Sequence, residues 1–471
     1  MSYLKIVCGT DERVISFEGE HLLGELLSES GMYVEHPCGG KGSCKKCTVL
    51  LNGEAVLTCQ YRISSDATVI IPQKEEMLSV SGAKETGRLT ENAVLCLDIG
   101  TTTVALALVS PENGEIVKTA VKTNPQRAFG ADVISRIEYC RDHGTGELQT
   151  AVTAAVNETV QELLKAFGVA TVSKMFVSGN TTMLHLFFGV DCSAMGVSPY
   201  TPSFLSGQTV KAERLGVASV GEIVSLPNIS AFVGADIVAG INLVGKPATG
   251  KYSILLDLGT NAEIALFNGE HIYTTTAAAG PCFEGANISC GMSALNGAIS
   301  KYELDGTYSV IGNTKPKGLC ATGLIDLISV LVKKGIVDES GYMDDEEFCI
   351  ADGVSLMQKD VREFQLAKSA VRSALVCLMK TADVEFEQID KLYVAGGFSA
   401  QMNVENAAFV GLIPSELIGN FSPVNNSSLL GTVKYACENN ALDALVESAE
   451  YVDISGSALF SEEFFNNMAF G

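Results

Sequence analysis

Four cysteines near the amino terminus, Cys38, Cys44, Cys47 and Cys59, lie in PCGGKGSCKKCTVLLNGEAVLTC with the spacing C-x5-C-x2-C-x11-C. Four thiolates are the ligand set of a 2Fe–2S cluster. Gly39, Gly40 and Gly42 let such a loop wrap closely, because glycine adopts the positive φ angles that other residues resist. Backbone N–H groups in the loop can then point at cluster sulfurs and tune the potential. Four thiolates also suit a structural zinc, but zinc sites are usually built from two separated C-x2-C knuckles, and one is present here. The other ten cysteines are scattered through apolar text and read as core thiols, with Cys282 and Cys290 set apart by their glycine-rich loop.

A second chemistry is written twice. Asp98-Ile99-Gly100-Thr101-Thr102 and Asp257-Leu258-Gly259-Thr260-Asn261 each end an apolar strand and open another. Glycine permits close backbone approach, and successive N–H groups make an anion-binding concavity to which Thr101, Thr102 and Thr260 add hydroxyls. A carboxylate at the end of an apolar strand is costly unless it meets a cation, and hydrated Mg2+ is the obvious one. Read alone, each is a turn stabilised by Asp. The pair is harder to dismiss, because KMFVSGNTT follows the first from Lys174 and KLYVAGGFSA follows the second from Lys391. Gly179, Asn180 and Thr181 thus answer Gly396 and Gly397, and the repeat implies two similar subdomains facing one nucleotide cleft. No GxxxxGK[ST] occurs, so this is not a P-loop enzyme.

The elements that must position these residues follow from pattern. Strands are expected at Leu4–Cys8, Arg13–Phe17, Thr48–Leu51, Ala55–Thr58 and Thr68–Ile71, with a helix over His21–Ser30, so residues 1–72 suit a β-grasp ferredoxin-like domain. Residues 73–92 are polar and aperiodic and read as a linker. From 93 to 471 apolar strands alternate with amphipathic helices, an α/β pattern whose halves divide at about 93–245 and 246–471. The net charge of −23 and pI of about 4.6 repel phosphate backbones and anionic membrane surfaces, so nucleic-acid binding is excluded. The start lacks a signal-peptide pattern, and no run of 18 apolar residues exists. A soluble cytoplasmic protein with reduced thiols is the expectation.

The four turn segments resemble the phosphate, connecting and adenosine motifs of the actin, sugar-kinase and heat-shock-chaperone ATPase superfamily, over Val94 to the end. The resemblance implies a duplicated actin-like, ribonuclease-H-like fold binding ATP and Mg2+. It implies phosphate and cation contacts from Asp98, Gly100, Thr101 and Thr102, then Gly259, Thr260 and Asn261, with Gly396 and Gly397 near the adenosine. Asp236 in AFVGADIVAG and Glu263 are the candidate water-activating residues, with Asp257 beside them as a catalytic carboxylate. Lys368 and Arg372 share a helical face, either flanking the adenine or, more plainly, solvated.

The order of the parts looks like that of the reductive activators of corrinoid-dependent proteins. FVSGNTTMLHLFFG, GPCFEGANISCGM and CATGLIDL are similar to theirs. The implied activity is ATP-dependent reduction of a Co(II) corrinoid to Co(I) in a partner protein of a methyltransferase system, within anaerobic metabolism. An upstream low-potential electron donor would serve the cluster, and a homodimer is compatible with this scheme. Larger members carry a middle domain between linker and first phosphate loop; Asp98 follows the linker at once, so that domain is expected to be absent. No D-x-H-x-x-G signature appears, which assigns the corrinoid to the partner. Three alternatives stay open: an ATP-driven donor to another low-potential metalloenzyme, a small-molecule kinase with a vestigial cluster, and a nucleotide-switched ferredoxin without turnover.

Overall fold

The structure is a computed structural model. It describes the chain except for Thr10, Tyr33, residues 35–41, 43–46, 73–82 and 439–440, and Gly471. Cys38 and Cys44, with Gly39 and Gly40, lie outside the described residues.

The amino-terminal sheet is mixed. Strands β1 (Ser2–Cys8) and β2 (Asp11–Phe17) form an antiparallel hairpin. Helix α1 (Leu23–Glu29) follows, then β3 (Thr48–Leu51), β4 (Glu54–Leu57) and β5 (Ala67–Ile71). The sheet order is β2-β1-β5-β3-β4, with β1 and β5 parallel at its centre. Leu23, Leu26 and Leu27 of α1 are the helical i, i+3, i+4 positions, and all three are buried against Leu4, Ile6, Val49, Leu51 and Val69. The pattern-based strands agree with those observed to within two residues.

The next sheet has six strands: β6 (Val94–Ile99), β7 (Thr103–Ser110), β8 (Glu115–Thr123), β9 (Val172–Gly179), β10 (Thr209–Lys211) and β11 (Val220–Ser225), in the order β8-β7-β6-β9-β11-β10. Its helices are α2 (Val133–His143), α3 (Gly146–Ala166) and α4 (Thr181–Phe188). Helix α3 packs its Leu148, Val152, Val156, Val160 and Leu163 face along β7 and β8.

The following part begins with α5 (Ala235–Val244) and a second six-stranded sheet. Its strands are β12 (Tyr252–Leu258), β13 (Ala262–Phe267), β14 (Ile272–Ala277), β15 (Ile389–Ala395), β16 (Phe421–Pro423) and β17 (Ala449–Tyr451), in the order β16-β15-β12-β13-β14-β17. Its longer helices are α6 (Ala321–Lys333), α7 (Gln358–Thr381), α8 (Ser427–Glu438) and α9 (Ala458–Asn466). Five strands of each large sheet share one order and one set of directions, two antiparallel hairpin steps followed by two parallel neighbours. In each, the long helix after the third strand packs on the second and third strands, α3 in one and α7 in the other.

Two glycines close the equivalent strand ends. A Cβ on Gly179, at φ +152°, would sit 2.5 Å from the Ile99 carbonyl oxygen; one on Gly396, at φ +111°, would sit 2.6 Å from that of Leu258. Each lets the fourth strand press against the end of the first, where the Asp-x-Gly turn begins.

By packing, α5 groups with the second large sheet. One compact unit reaches Leu226 and the other begins at Pro227. The physical reason is α5, whose Gly240 abuts Leu255 of β12 and whose Ala239 carbonyl lies 1.9 Å from where a Cβ on Gly431 of α8 would be. One difference from the expected organisation concerns the linker. From Glu85 to Asn92 the chain is not a free spacer but is hydrogen-bonded along β8 and the β7–β8 turn.

Gly396→Ala adds both a collision and a disfavoured φ, so it should lower the stability of the second unit by roughly 1–3 kcal/mol or more. Gly397→Ala, where an added Cβ meets nothing within 4 Å, should cost far less. Denaturant midpoints of the two variants check this; equal midpoints would remove the strand-end argument.

Candidate nucleotide site and cysteine pair

The second Asp-x-Gly turn is lined by acids. Asp257 is the penultimate residue of β12, and the β12–β13 register sets it directly across from Glu263. Like charges facing across a hairpin are destabilising. At the same place in the first hairpin Asp98 faces Ala105. Asp236 stands in the first turn of α5, where the helix dipole favours a negative charge and its Oδ1 accepts the Ile237 N–H at 2.8 Å. Glu284 ends a short 3-10 turn, Pro281–Glu284, and its Oε2 accepts the Thr260 hydroxyl at 2.9 Å. Sequence reading missed Glu284.

The loop that carries Glu284 is locked by close approaches. A Cβ on Gly285 would meet the Met292 nitrogen at 2.5 Å, and one on Gly291 the Gly285 carbonyl oxygen at 2.4 Å. Met292 N–H donates to Leu319 O, and Leu319 N–H to Cys290 O. The glycines of GPCFEGANISCGM therefore fix a carboxylate against the Gly259-Thr260 turn.

The electrostatics follow from this crowding. Burial, and then the charge of Asp236, pushes the Asp257 carboxyl up to about 7. Burial pushes Asp236 up to about 6 against the pull of nearby backbone N–H groups. Glu263 is raised well above the ordinary carboxylate range by burial, then by Asp236 and Asp257, with Glu284 adding to it. Among the described residues, Asp236, Asp257 and Glu263 form no ion pair. Beside the α5 N-terminus, Asn228 is fully buried; its Oδ1 accepts the Ala235 N–H, and its Nδ2 has no hydrogen-bond partner. Oxygen ligands in excess of protein cations, beside an unspent amide donor, are what a hydrated Mg2+ and a phosphate oxygen need. The residues fit that pair.

The first turn is held differently. Gly100 O accepts Asn124 Nδ2 at 2.8 Å, Thr102 O accepts the Asn124 N–H at 2.9 Å, and Thr101 O accepts Arg136 Nη2 at 2.5 Å. Arg136 on α2 is fully buried, with Nε donating to Gly130 O at 3.0 Å. Asn180 caps α4 through Met183 N–H and donates from Nδ2 to the Thr101 hydroxyl at 3.1 Å. The structure thus brings Gly100, Thr101, Thr102, Gly179 and Asn180 together. Thr181 is buried in α4, where its carbonyl meets His185 Nδ1. Asn124 and Arg136 carried no sequence signal, since a buried arginine reads as one more helix charge.

The solvated reading of Lys368 and Arg372 changes. Lys368 is buried, donates to Ala469 O and lies over the Phe470 ring, and burial lowers its ammonium to about 8. Arg372 packs over Phe386 with Glu416 at 3.8 Å. Lys368 thus ties down the carboxyl-terminal segment.

In the amino-terminal sheet, Cys47 and Cys59 are buried with their sulfurs 3.3 Å apart. That is far beyond a disulfide bond of about 2.05 Å and brings two thiols to one point, as two ligands of one iron require. Gly42 has φ +73°, in keeping with a tightly wrapped loop. The described half of the ligand set fits a cluster. None of the twelve described cysteines is in a disulfide, and Cys282 is buried among core residues.

Residues 251–471 match a family profile described as the C-terminal domain of RACo, the ASKHA domain, and residues 94–245 match one described as the RACo middle region. That second match begins at the strand that carries Asp98, so it covers the half with the first turn and not a separate domain ahead of it. Over 583 aligned positions the chain is 26% identical to the corrinoid activation enzyme RamQ of Eubacterium limosum, covering 98% of both. Those positions exceed the 471 residues here, so that relative holds stretches without counterpart. A reductase of the methylated amine-specific Co(II) corrinoid protein from Methanosarcina barkeri is 26% identical, over 79% of this chain and 75% of the relative. The solved structure of a reductive activator for a corrinoid, iron–sulfur protein superposes with TM-score 0.72 and 26% identity, covering 99% and 98% of the chains.

Two outcomes are expected. The Asp236 and Asp257 carboxyls have raised folded-state pKa values, so the stability they contribute is fully present below about pH 4 and is lost as pH rises through about 6 to 7. Without divalent cation the second unit should melt lower at pH 8 than at pH 5.5, Asp257→Asn should flatten that slope, and Mg2+ should offset it; a slope unchanged in the variant would refute the assignment. Separately, Glu284→Gln keeps an acceptor for Thr260 and removes the charge, so MgATP should bind at least about tenfold more weakly, near 1.4 kcal/mol. Calorimetry checks it, and unchanged affinity would place Glu284 outside the site.

Proposed function

Because the chain belongs to the family of reductive activators of corrinoid-dependent proteins, we propose that it returns the Co(II) corrinoid of a partner protein to Co(I) at the expense of ATP. One observation carries the reading. A buried cysteine pair and a carboxylate-lined Gly-Thr turn occur on one chain that aligns over nearly its full length with corrinoid activators.

The proposed roles follow from the residues. Cys38, Cys44, Cys47 and Cys59 hold one 2Fe–2S cluster in a β-grasp domain. When bound, that cluster supplies one electron at low potential. The Asp98 and Asp257 turns, on a duplicated actin-like framework, bind the phosphates of ATP through backbone N–H groups and the hydroxyls of Thr101, Thr102 and Thr260. Asp257 and Asp236 hold the hydrated Mg2+. Glu263, its carboxyl raised by burial and then by its acidic neighbours, is assigned the orientation of the attacking water. Gly179 and Gly396 keep the strand ends close enough for these turns to form, and Gly396 and Gly397 lie toward the adenosine. An upstream low-potential donor returns the electron to the cysteine-bound group. The reduced thiols accord with a cytoplasmic setting.

The reduction balances as one electron per cobalt, and hydrolysis as ATP and water to ADP and phosphate. In an anaerobic assay with a low-potential donor, a corrinoid protein and MgATP, Co(I) absorbance should accumulate only when ATP is present. Cys59→Ala should abolish the signal while leaving nucleotide binding intact, and Asp257→Ala should abolish it while leaving the iron content intact. Equal Co(I) formation without ATP would overturn the proposal.

A further inference from the structure

The segment between the cysteine-bearing sheet and β6 is anchored at a definite point. Glu85 makes a parallel bridge to Ile116 on β8, the outermost strand of its sheet. Its Oε1 accepts the Thr119 N–H at 2.9 Å and the Thr119 hydroxyl at 2.6 Å, and its Oε2 accepts Lys118 Nζ at 2.7 Å. Thr86 N–H donates to Ile116 O and Gly87 N–H to Val117 O, so the segment begins a further strand on the exposed edge. Beyond it, the Ser110 hydroxyl donates to Arg88 O and accepts the Thr90 N–H. Glu112 in the β7–β8 turn accepts Asn92 Nδ2 at 2.8 Å and the Thr90 hydroxyl. The bonds from Glu85 to Lys118 and Thr119 outweigh the burial that would otherwise raise its carboxyl, so it is ionised throughout the neutral range.

We propose that residues 85–92 are a strap latched by Glu85 to the edge strand, and that release of the strap lengthens the connection between the cysteine-bearing domain and the rest of the chain. The inference rests on the reading that the amino-terminal domain must visit a partner's cobalt. Latched, the connection runs from Pro72 to Glu85; released, it runs to Asn92. Seven more residues at 3.3–3.6 Å each give about 25 Å of additional maximal reach. The bonds holding the strap are one carboxylate, two hydroxyl contacts and a few backbone pairs at a solvent-facing edge, which is how locally opening segments are built. An edge strand is also the feature that an incoming chain pairs with. A docking partner that adds a strand to β8 would displace the strap and free the reach in one event.

The test uses the full chain. In wild-type protein the amides of Thr86, Gly87 and Thr119 should exchange hydrogen slowly. In Glu85→Ala they should exchange about tenfold faster or more. Distances between one spin label on the amino-terminal sheet and another on α3 should broaden toward longer values. MgATP hydrolysis should be unchanged, since no strap residue belongs to the nucleotide turns. Thr119→Val, which removes one bond and keeps the ion pair, should fall between the two. Exchange at Thr86 and Gly87 as fast in wild type as in Glu85→Ala, or label distances that do not respond, would overturn the latch. Neither readout involves cobalt, so failure of the corrinoid reading would leave this result standing.

Discussion

Four carboxylates around one Gly-Thr turn set the terms for the rest of the second unit. Asp257 and Glu263 are forced opposite each other by hairpin register, Asp236 arrives on the first turn of α5, and Glu284 is pressed in by a glycine-locked loop. In a half-buried setting these charges repel by an amount that solvent screens only in part. Protons relieve the repulsion at low pH, and that repulsion adds to the burial that raises the Asp257 and Glu263 carboxyls. A divalent cation relieves it at neutral pH. Phosphate alone would deepen the problem, which is why the proposed function pairs the phosphate with a cation. Holding three separate segments against this repulsion needs a stiff frame, and the close-packed glycines at positions 285, 291, 396 and 431 provide it.

The two large sheets use one topology for two kinds of turn. In the first, the carbonyls of Gly100, Thr101 and Thr102 are held by Asn124 and by the buried guanidinium of Arg136. In the second, hydroxyl and backbone face carboxylates. The register position that is Glu263 in one hairpin is Ala105 in the other. A repeated frame thus carries two environments: the first turn has Asp98 with a buried arginine behind its backbone, and the second gathers four carboxylates.

The legible part of the molecule was the part with local rules. Strand alternation, the i, i+3, i+4 leucines of α1 and the paired Asp-x-Gly-Thr turns are set by neighbours in sequence, and they stand where the pattern places them. What escaped depends on long-range packing. Glu284 lies more than twenty residues beyond Thr260 in a loop without periodicity. Arg136 and Lys368 look like surface charges on helices, and only tertiary structure buries them under a turn and a carboxyl-terminal segment. Helix α5 reads as the end of one half but packs on β12 and α8 of the other. The strap at Glu85 is polar and aperiodic, as a spacer is, because edge pairing asks for backbone and a few side-chain bonds and not for an apolar pattern.

The cysteine pair and the carboxylate cluster belong to different compact units, Cys47 and Cys59 to one and the acids to the other. On the proposed function, hydrolysis in one unit serves electron transfer from a cluster held in the other, and the residues assigned to the two sites are different ones, so no chemical step joins them. Coupling must instead run through differences in how nucleotide states bind a third body. The energy asked for is modest: about 0.1 V for one electron corresponds to about 2.3 kcal/mol, from 59 mV per tenfold change in equilibrium. A differential affinity of about fiftyfold between two states of a partner supplies that amount. Such a scheme requires a nucleotide site whose charge state changes sharply with occupancy, and a donor domain whose reach is independent of that site. The acidic turn meets the first requirement. A connection anchored on the outer strand of a different sheet meets the second, since its hydrogen bonds involve none of the residues of the two Asp-x-Gly turns.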